Sequence, residues 1–409
     1  MRRVVVTGLG VVSPIGNDVA SVWESVKQGK CGIDKITAFD TENFKIKLAG
    51  EVKDFEPEQF IDKRELRKMA RFTVFARCAA DQAVADAGLQ FEDEDTDRCG
   101  VILSSGIGGI DVIENEDHRG MEKGYERVSP YFIPSAISNM AAGQIAIAHG
   151  LHGMCSCIVT ACASGTNAIG DSFHYIRDGY ADIMLAGGAE ASITKLGIGG
   201  FASMKALHSG DDPMRASIPF DAERSGFVMG EGSALLVLEE YEHAVKRGAK
   251  IYCEVAGYGA NCDAHHITAP LPDGSGAAKC MSMAIADAGL EPKDVDYINA
   301  HGTSTHLNDS GETKAVKLAF GEHAKELMMS STKSMTGHLL GASGAVEGVI
   351  TALSIYNGFV PATINYKVPD EECDLDIVPN EGRNADVKVA MSNSLGFGGH
   401  NASILFKKV

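Results

Sequence analysis

The sequence has 409 residues, 44% hydrophobic and 22% charged, a composition typical of a globular chain long enough for two domains. No apolar run approaches the roughly 18 residues of a membrane-spanning helix, and a formal net charge of −18 disfavours binding of nucleic acid by the chain as a whole. The ten cysteines are irregularly spaced, so we expect reduced thiols and a cytoplasmic location rather than a disulfide framework.

Predicted strands and helices alternate along the chain. In the first half they are strand Val4–Leu9, helix Ser21–Gln28, helix Phe72–Ala87, strand Gly100–Leu103, helix Thr166–Asp178, strand Ala181–Ala186 and strand Leu235–Leu238. In the second half they are strand Ile251–Val255, helix Ala277–Ala288, strand Val295–Asn299, helix Gly311–Phe320, strand Leu327–Ser330, helix Ala345–Tyr356 and strands Val387–Ser392 and Ala402–Phe406. Such alternation predicts α/β layers with strands buried on both faces.

A short internal repeat supports two similar halves. Ala163-Ser164-Gly165 and Ala342-Ser343-Gly344 each stand at a turn that leads into a predicted helix. No low-complexity linker separates the halves, so we expect them to pack together. We place the boundary between residues 1–250 and 251–409.

Cys162 is the candidate nucleophile. It follows a short apolar strand and lies in a turn of small residues at the start of the helix that begins near Thr166. Free N–H groups and the helix dipole at such a position lower the pKa of a thiol. The alternative interpretation is a buried and inert cysteine. A metal site at Cys155 and Cys157 is disfavoured, because no second ligand pair accompanies them at a suitable spacing.

Two histidines follow predicted strands of the second half. His301 comes after the strand that ends at Asn299, and His338 follows the Ser-rich turn after Ser330. Open α/β sheets place their chemistry at such strand ends, although either histidine could also belong to an ordinary polar turn. Lys333 is flanked by small uncharged residues, which predicts a buried ammonium paired with an acid.

The segment that contains Phe397 is a candidate mobile loop. Gly396, Gly398 and Gly399 surround the phenylalanine and permit motion or close approach to a ligand, although a simple hairpin has the same pattern.

The nucleotide-binding and hydrolase motifs that the sequence partly matches are incomplete. Ser13 replaces a required glycine of the dinucleotide fingerprint, no Walker lysine is present, and no G-x-S-x-G elbow occurs.

Taken together, these segments resemble the β-ketoacyl-[acyl-carrier-protein] synthases, most closely the elongating synthase II branch. The resemblance extends over essentially the whole chain and includes Pro219-Phe220-Asp221 with Arg224 and the segment from Gly226 to Gly232. It implies a thiolase-like fold, with two similar halves in five α-β-α-β-α layers, and a homodimer. The pair of histidines argues against thiolases and synthase III, and the presence of Cys162 argues against a non-catalytic chain-length partner.

The resemblance also implies roles for individual residues. Cys162 would carry the acyl chain, His301 and His338 would serve malonyl decarboxylation, and Lys333 with Glu347 would organise the site. The backbone N–H groups of Cys162 and Phe397 would form an oxyanion hole. Further binding roles fall to Thr303 and Thr305 for the phosphopantetheine arm and to Phe397, Gly398 and Gly399 for the acyl pocket. We expect no organic cofactor, but the resemblance implies a monovalent cation near Asn299, Glu347, Ser392 and Asn393.

A basic segment is the candidate docking surface for acyl carrier protein, the partner that the resemblance implies. Lys63, Arg64, Arg67, Lys68 and Arg71 have the spacing of one helix face, and Lys205 joins them by resemblance.

Two departures from the synthase II pattern are His306, where proline is expected, and the stretch Gly153–Cys157. The alternatives are a stand-alone ketosynthase of a polyketide or specialised lipid pathway, and a pure binding or scaffold subunit.

Overall fold

A computed structural model describes residues 1–409. The fourteen strands are β1 Val4–Val12, β2 Asp34–Lys35, β3 Leu48–Ala49, β4 Cys99–Ser104, β5 Cys155–Ile158, β6 Ile183–Glu190, β7 Gly232–Glu240, β8 Cys253–Cys262, β9 Tyr297–Asn299, β10 Met328–Ser330, β11 Phe359–Val360, β12 Arg383–Asn384, β13 Val389–Gly396 and β14 His400–Lys407. Every predicted strand is present, which confirms the α/β interpretation.

The thirteen α-helices include all those predicted from the sequence. They are α1 Val19–Gln28, α2 Lys63–Leu66, α3 Arg71–Ala87, α4 Ile110–Lys123, α5 Phe132–Ala136, α6 Met140–His149, α7 Ser164–Arg177, α8 Lys195–Ser203, α9 Tyr241–Lys246, α10 Ser275–Asp287, α11 His306–Phe320, α12 Lys333–Thr336 and α13 Ser343–Asn357. None of the helices combines the length and apolar character required to cross a lipid bilayer.

The main sheet repeats one five-stranded pattern. Its order is β10-β9-β13-β14-β8-β1-β7-β6-β4-β5, and β1 and β8 pair antiparallel at the centre. Outward from that pair, each side has two further antiparallel neighbours followed by two parallel ones. The same pairing pattern in both halves confirms the predicted internal repeat and the thiolase-like fold. The boundary between residues 250 and 251 stays a prediction.

Two helices form the central layer and bring the halves together. Helices α7 and α13 each contact strands from both halves, whereas α3 and α10 cover the outer faces of the sheet. A Cβ atom at Gly165 would lie 2.7 Å from the backbone nitrogen of Ala345, and one at Gly344 would lie 2.6 Å from that of Thr166. The two repeated Ala-Ser-Gly turns therefore meet face to face, because only glycine permits this approach.

Candidate active site

One pocket of about 340 Å³ is lined by three of the four predicted catalytic residues, which come from both halves. Cys162 lines it from the first half, and His301, His338 and Phe397 line it from the second. A larger surface groove of about 760 Å³ lies between α4 and the start of α8, and none of the predicted catalytic residues lines it. The chemistry of the chain is therefore concentrated where the two halves meet.

A strained turn presents Cys162 to this pocket. The residue before it, Ala161, has a φ of +51°, a left-handed conformation that side chains other than glycine rarely adopt. The Ser164 hydroxyl holds the turn, because it donates to the Ala161 carbonyl at 2.6 Å and accepts from the Thr160 N–H at 2.7 Å. Helix α7 begins two residues after Cys162, as the sequence predicted.

Burial dominates the electrostatics of the Cys162 thiol. It raises the pKa to about 12, although the Lys333 ammonium and the backbone N–H groups of Phe397 and Cys162 oppose the shift. The prediction that the helix start lowers this pKa is therefore wrong in its net direction, because removing a thiolate from water outweighs those favourable neighbours. The two N–H groups that contact the sulfur are those predicted to form the oxyanion hole.

The two histidine rings lie close together and nearly perpendicular, with centroids 5.2 Å apart and an interplanar angle of 86°. Burial, followed by repulsion from Lys333, lowers the pKa of each ring well below the ordinary value of 6.5, and each therefore stays neutral near pH 7. The Leu340 N–H donates to His338 Nδ1 at 3.2 Å, so the neutral ring carries its proton on Nε2. His338 is thus a hydrogen-bond donor at that atom.

Lys333 is the buried positive charge beside these groups. Its side chain is 1% exposed and forms an ion pair with Glu347, as the sequence predicted. Burial raises the pKa of Glu347 to about 7, with Lys333 opposing the shift. The ammonium therefore disfavours protonation of both histidines and stabilises negative charge at the thiol.

Two buried acids of helix α11 support the histidine strand and were missed by sequence reasoning. Glu312 accepts the backbone N–H groups of His301 and Gly302, each at 2.8 Å. Asp309 accepts the N–H of Thr303 at 3.0 Å and faces the fully buried Arg224. Two carboxylates one helical turn apart, directly after the Thr-rich turn, were the available signal.

The Phe397 loop is tied to a neighbouring segment of the pocket wall. Gly398 donates its N–H to the Ile267 carbonyl at 2.8 Å, and the Asp263 N–H donates to the Gly399 carbonyl at 2.8 Å. Gly398 and Gly399 have φ values of +84° and +77°, which explains why glycine occupies both positions. The loop is a tight hairpin between β13 and β14 whose conformation depends on these two residues.

Thr303 and Thr305 line the same pocket as Cys162. Their hydroxyls are 3.0 Å apart, and Thr303 is buried whereas Thr305 is half-buried. This pair of hydroxyls offers hydrogen bonds to a polar ligand arm within the pocket.

Three of the four predicted cation residues lie together at the end of β9. Asn299 and Ser392 are direct neighbours in the sheet, and Asn299 Nδ2 donates to the Glu347 carbonyl at 3.5 Å. Asn299 Oδ1, Glu347 Oε2 and Ser392 Oγ are buried without a hydrogen-bond partner. Three oxygen atoms of this kind fit a hard monovalent cation. Asn393 instead presents Nδ2, because its Oδ1 accepts from the Ser403 hydroxyl at 2.8 Å.

The basic segment does not form the continuous helix face that its spacing predicted. Helix α2 ends at Leu66 and α3 begins at Arg71, so a turn separates the two groups of charges. Lys63 pairs with Glu58, Lys68 with Glu65, and Arg71 with the buried Glu231. Arg64 and Arg67 are exposed and have no ion-pair partner, and Lys205 is exposed and lines the catalytic pocket.

The fold and the pocket define a condensing enzyme of the thiolase-like class. Residues 1–244 match the sequence model of the beta-ketoacyl synthase N-terminal domain, and residues 252–367 match that of the C-terminal domain. The chain belongs to the β-ketoacyl synthase family, which confirms the resemblance identified in the sequence.

Similar proteins include the 3-oxoacyl-[acyl-carrier-protein] synthase 2 of Staphylococcus aureus (strain N315). It is 54% identical over 407 residues, which cover 100% of this chain and 98% of the relative. The enzyme of the same name from Synechocystis sp. (strain ATCC 27184 / PCC 6803 / Kazusa) is 53% identical over 408 residues, covering 100% of this chain and 98% of the relative.

Two solved structures share this fold over the whole chain. A beta-ketoacyl synthase from Burkholderia phymatum STM815 has a TM-score of 0.92 and 34% identity, with 100% of both chains covered. A type II polyketide ketosynthase, solved with its acyl carrier protein and bound to the hexaketide, has a TM-score of 0.92 and 40% identity, with 100% of this chain and 99% of that chain covered.

Proposed function

We propose that this chain is a 3-oxoacyl-[acyl-carrier-protein] synthase II, which condenses an acyl thioester with malonyl-acyl carrier protein. One observation supports this proposal most strongly: the Cys162 thiol and two neutral histidines line the same pocket, beside the buried Lys333. Elongation of fatty acyl chains by two carbons follows from that chemistry.

The first half-reaction transfers the acyl chain to the enzyme. Cys162 Sγ loses its proton and attacks the thioester carbonyl, and the departing carrier thiolate takes up a proton, so the exchange is balanced. The backbone N–H groups of Cys162 and Phe397 donate to the oxygen that becomes negative. Covalent capture divides a difficult condensation into two simpler steps.

The second half-reaction makes the carbon–carbon bond. Cleavage of the malonyl carboxylate releases CO₂ and leaves its electron pair as an enolate, to which His301 and His338 donate hydrogen bonds. Each donor contributes about 3–4 kcal/mol if it acts like other oxyanion donors. The carbanion then attacks the Cys162 thioester, and the cysteine leaves as a thiolate and regains a proton.

Mass spectrometry of the intact protein with acyl-acyl carrier protein tests this function. We expect one acyl group per chain on Cys162, and a 3-oxoacyl product two carbons longer once malonyl-acyl carrier protein is added. Cys162→Ala should abolish both results, whereas Cys155→Ala, which removes an exposed thiol, should preserve them. An adduct on another cysteine would refute the assignment.

A ketosynthase of a polyketide or specialised lipid pathway is the second candidate. The 40% identity to a polyketide ketosynthase supports this candidate, and both functions would use the same condensation chemistry. A series of saturated primers separates the two functions. Efficient use of long saturated chains supports fatty acid elongation, and rejection of all but very short primers supports the specialised pathway.

The partner we propose is acyl carrier protein, as in the complex of the similar polyketide ketosynthase. Arg64, Arg67 and Lys205 are the exposed cations that support docking of such an acidic protein. A cytoplasmic location accords with ten cysteines that are all unbridged.

We also propose a homodimer that forms through strand β5. This strand pairs only with β4, leaving its other edge open. Exposed apolar residues adjoin it: Met154 and Val159 flank the strand in the chain, and Ile147 lies on helix α6, which contacts β5. An antiparallel pair of such edges is compatible with two-fold symmetry, and the absence of charge at these positions permits contact between two chains of net charge −18.

A monovalent cation would have a structural role in the proposed enzyme. Asn299, Ser392 and Glu347 would hold it through oxygen atoms that otherwise have no partner. Its charge would compensate the free oxygen of Glu347 and order the strand end that precedes His301.

A further inference from the structure

A buried carboxyl group outside the catalytic pocket connects the two halves of the chain. Glu190 ends strand β6, and its side chain is completely buried without an ion-pair partner. It accepts the backbone N–H groups of Gly106 at 2.7 Å and Ile107 at 3.2 Å, both from the first half. It also accepts the N–H of Gly341 at 3.0 Å, from the second half. The mechanism proposed for condensation assigns this carboxyl group no role.

The surroundings of Glu190 favour its ionised form. The hydroxyl groups of Ser192 at 2.9 Å and Ser105 at 3.4 Å join the three backbone N–H groups around its two oxygen atoms. Burial raises the pKa of this carboxyl group, and the hydrogen bonds from Ser192 and from the N–H groups oppose that shift. Because a backbone N–H can only donate, a carboxylate satisfies both oxygen atoms better than a protonated acid does.

The Gly341 N–H belongs to the turn that follows His338. Leu340, the residue before Gly341, has a φ of +49°, a left-handed conformation that is unusual for leucine. In this conformation the Leu340 N–H donates to His338 Nδ1 at 3.2 Å, and the next N–H along the chain donates to Glu190. The strained residue therefore lies between two hydrogen bonds, one to the catalytic ring and one to the buried carboxylate.

The equivalent turn of the first half is stabilised differently. Ala161, with a φ of +51°, corresponds to Leu340, since each lies two residues before the alanine of a repeated Ala-Ser-Gly turn. The Ser164 hydroxyl donates to the Ala161 carbonyl at 2.6 Å and so closes that turn. The equivalent hydroxyl of the second half, that of Ser343, instead bonds His338 Nδ1 at 2.8 Å. The buried carboxylate supplies the stabilising contact that the second turn otherwise lacks.

Glycine at two positions lets the carboxylate reach both backbone segments. A Cβ atom at Gly106 would lie 2.8 Å from Glu190 Oε2, and one at Gly341 would lie 2.3 Å from the Gly106 nitrogen. The Ser104 hydroxyl adds a hydrogen bond of 2.8 Å to the Gly341 carbonyl. The turn after the second catalytic histidine is therefore anchored on the first half of the chain.

We propose that Glu190 is a positioning residue that keeps the proton of His338 on Nε2. Its carboxylate holds the Gly341 N–H, which fixes the strained Leu340 and directs the Leu340 N–H to Nδ1. The Ser343 hydroxyl cannot select the tautomer alone, because a hydroxyl group can donate to Nδ1 or accept from it. The inference rests on the proposed condensing function, in which Nε2–H of His338 donates to the enolate.

Nitrogen-15 NMR of protein labelled at histidine tests this proposal in the resting enzyme. The spectrum distinguishes an Nε2–H ring from an Nδ1–H ring, and the signals of His338 are assigned by their loss in His338→Ala. We expect only the Nε2–H form in the wild type. Glu190→Asp keeps the charge but is one methylene shorter, so it should lose the Gly341 hydrogen bond and show a second, Nδ1–H form. Glu190→Ala should show the same second form.

Glu190→Gln is the matched rescue variant. Its amide oxygen can take the place of Oε2 and accept from Gly341, while its NH₂ group donates to the Ser192 hydroxyl. We therefore expect the single Nε2–H form in Glu190→Gln although the charge is lost. A single Nε2–H form in Glu190→Asp and Glu190→Ala, or a second form in Glu190→Gln, would overturn the positioning role.

Kinetics separate this role from general support of the fold. In Glu190→Asp, kcat for malonyl decarboxylation should fall by about ten-fold, less than the loss caused by removing a whole oxyanion donor, while KM and acyl loading of Cys162 change little. Asp296→Ala removes a carboxylate that accepts two backbone N–H groups at the start of β9, and it should leave the tautomer and decarboxylation unchanged. Equal losses in both variants would contradict the inference. A wild-type enzyme that cannot decarboxylate malonyl-acyl carrier protein would instead overturn the proposed function.

Discussion

At the scale of single residues, burial and one ammonium determine the protonation of the active site. His301 and His338 are buried and adjacent to Lys333, so their pKa values are lowered well below 6.5. The Cys162 thiol is buried as well, and its pKa is raised to about 12. The resting pocket therefore contains a neutral thiol and neutral imidazole donors, which suits stabilisation of an enolate better than general acid catalysis by an imidazolium.

The first prediction separates the two half-reactions. His338→Ala should reduce malonyl decarboxylation by about 10²- to 10³-fold, because an oxyanion donor is lost, while acyl loading on Cys162 is largely retained. His301→Ala should have the same pattern. Decarboxylation is measured by release of CO₂, and loading by mass spectrometry. Normal decarboxylation with blocked loading in either variant would reverse the assigned roles.

The second prediction concerns pH. Lys333 lowers the pKa of His338, so Lys333→Met should raise that pKa and move the acid limb of decarboxylation to higher pH. The sign follows because a ring with a higher pKa takes up its proton earlier as the pH falls. The double variant Lys333→Met with Glu347→Gln avoids leaving a buried carboxyl group without its partner. Lys325→Met removes an exposed paired lysine and is the control for loss of a lysine elsewhere. An unchanged pH profile in the double variant would contradict the role of Lys333.

At the scale of elements, turns and strand ends position the catalytic groups. The strained turn before α7 presents Cys162, the end of β9 presents His301, and the hairpin between β13 and β14 presents Phe397. Hydrogen bonds connect that hairpin to the segment from Asp263 to Ile267, so movement of Phe397 requires both to rearrange. Loops supported by a rigid sheet commonly combine mobility with accurate placement of this kind.

The third prediction tests the hairpin. A Cβ at Gly399 would lie 2.9 Å from Asp263 Cβ, and the φ of +77° disfavours a branched side chain. Strain of about 1–3 kcal/mol should make turnover in Gly399→Val slower by roughly 5- to 150-fold without unfolding the protein. Gly124→Val has a similar positive φ but meets open space, so its activity should be close to that of the wild type. Equal activity in both variants would refute a conformational role for Gly399.

The fourth prediction concerns the interrupted basic segment. Arg64→Glu with Arg67→Glu should raise KM for acyl-acyl carrier protein about ten-fold, because these exposed cations have no intramolecular partner. KM for acyl-coenzyme A should change little, and the effect on the carrier protein should weaken at high salt. Lys293→Glu with Lys325→Glu makes the same charge change elsewhere. A comparable loss on both substrates would show that the segment supports folding.

At the scale of the whole molecule, the two ends of the main sheet differ. The backbone of β10 is covered, since Met329 donates its N–H to the Asp376 carbonyl at 2.8 Å. The edge of β5 has no such cover and lies next to exposed apolar side chains. Open edges of this kind usually pair with another chain or aggregate, which is the physical basis for the proposed dimer.

The fifth prediction follows from this asymmetry. Ile147 and Val159 are 74% and 55% exposed, and introducing charge at both by Ile147→Asp and Val159→Asp should convert the proposed dimer to a monomer. Light scattering after size-exclusion chromatography measures the mass. Leu318→Asp, at a residue 60% exposed on α11, should leave the dimer intact. A wild-type protein that is monomeric at all concentrations would contradict the proposed homodimer.

The sequence alone determined the layered fold and the internal repeat, and it predicted candidate catalytic residues that the fold brings to one pocket. Hydrophobic alternation locates buried strands, and small residues with Cys162, His301 and His338 stand directly at strand or helix ends, where local sequence is informative. Lys333 was also predictable as a buried cation, because no charged residue flanks it and Glu347 follows at the next helix.

Only the tertiary structure decided what depends on distant residues. The direction of the Cys162 pKa shift depends on burial by both halves, and the support of His301 depends on Glu312 from another element. The basic segment illustrates the same limit, because helical spacing predicted one face whereas packing of α2 and α3 placed a turn between them. Local periodicity reports how a segment can fold, but solvent exclusion and charge pairing arise from the surroundings that the complete fold assembles.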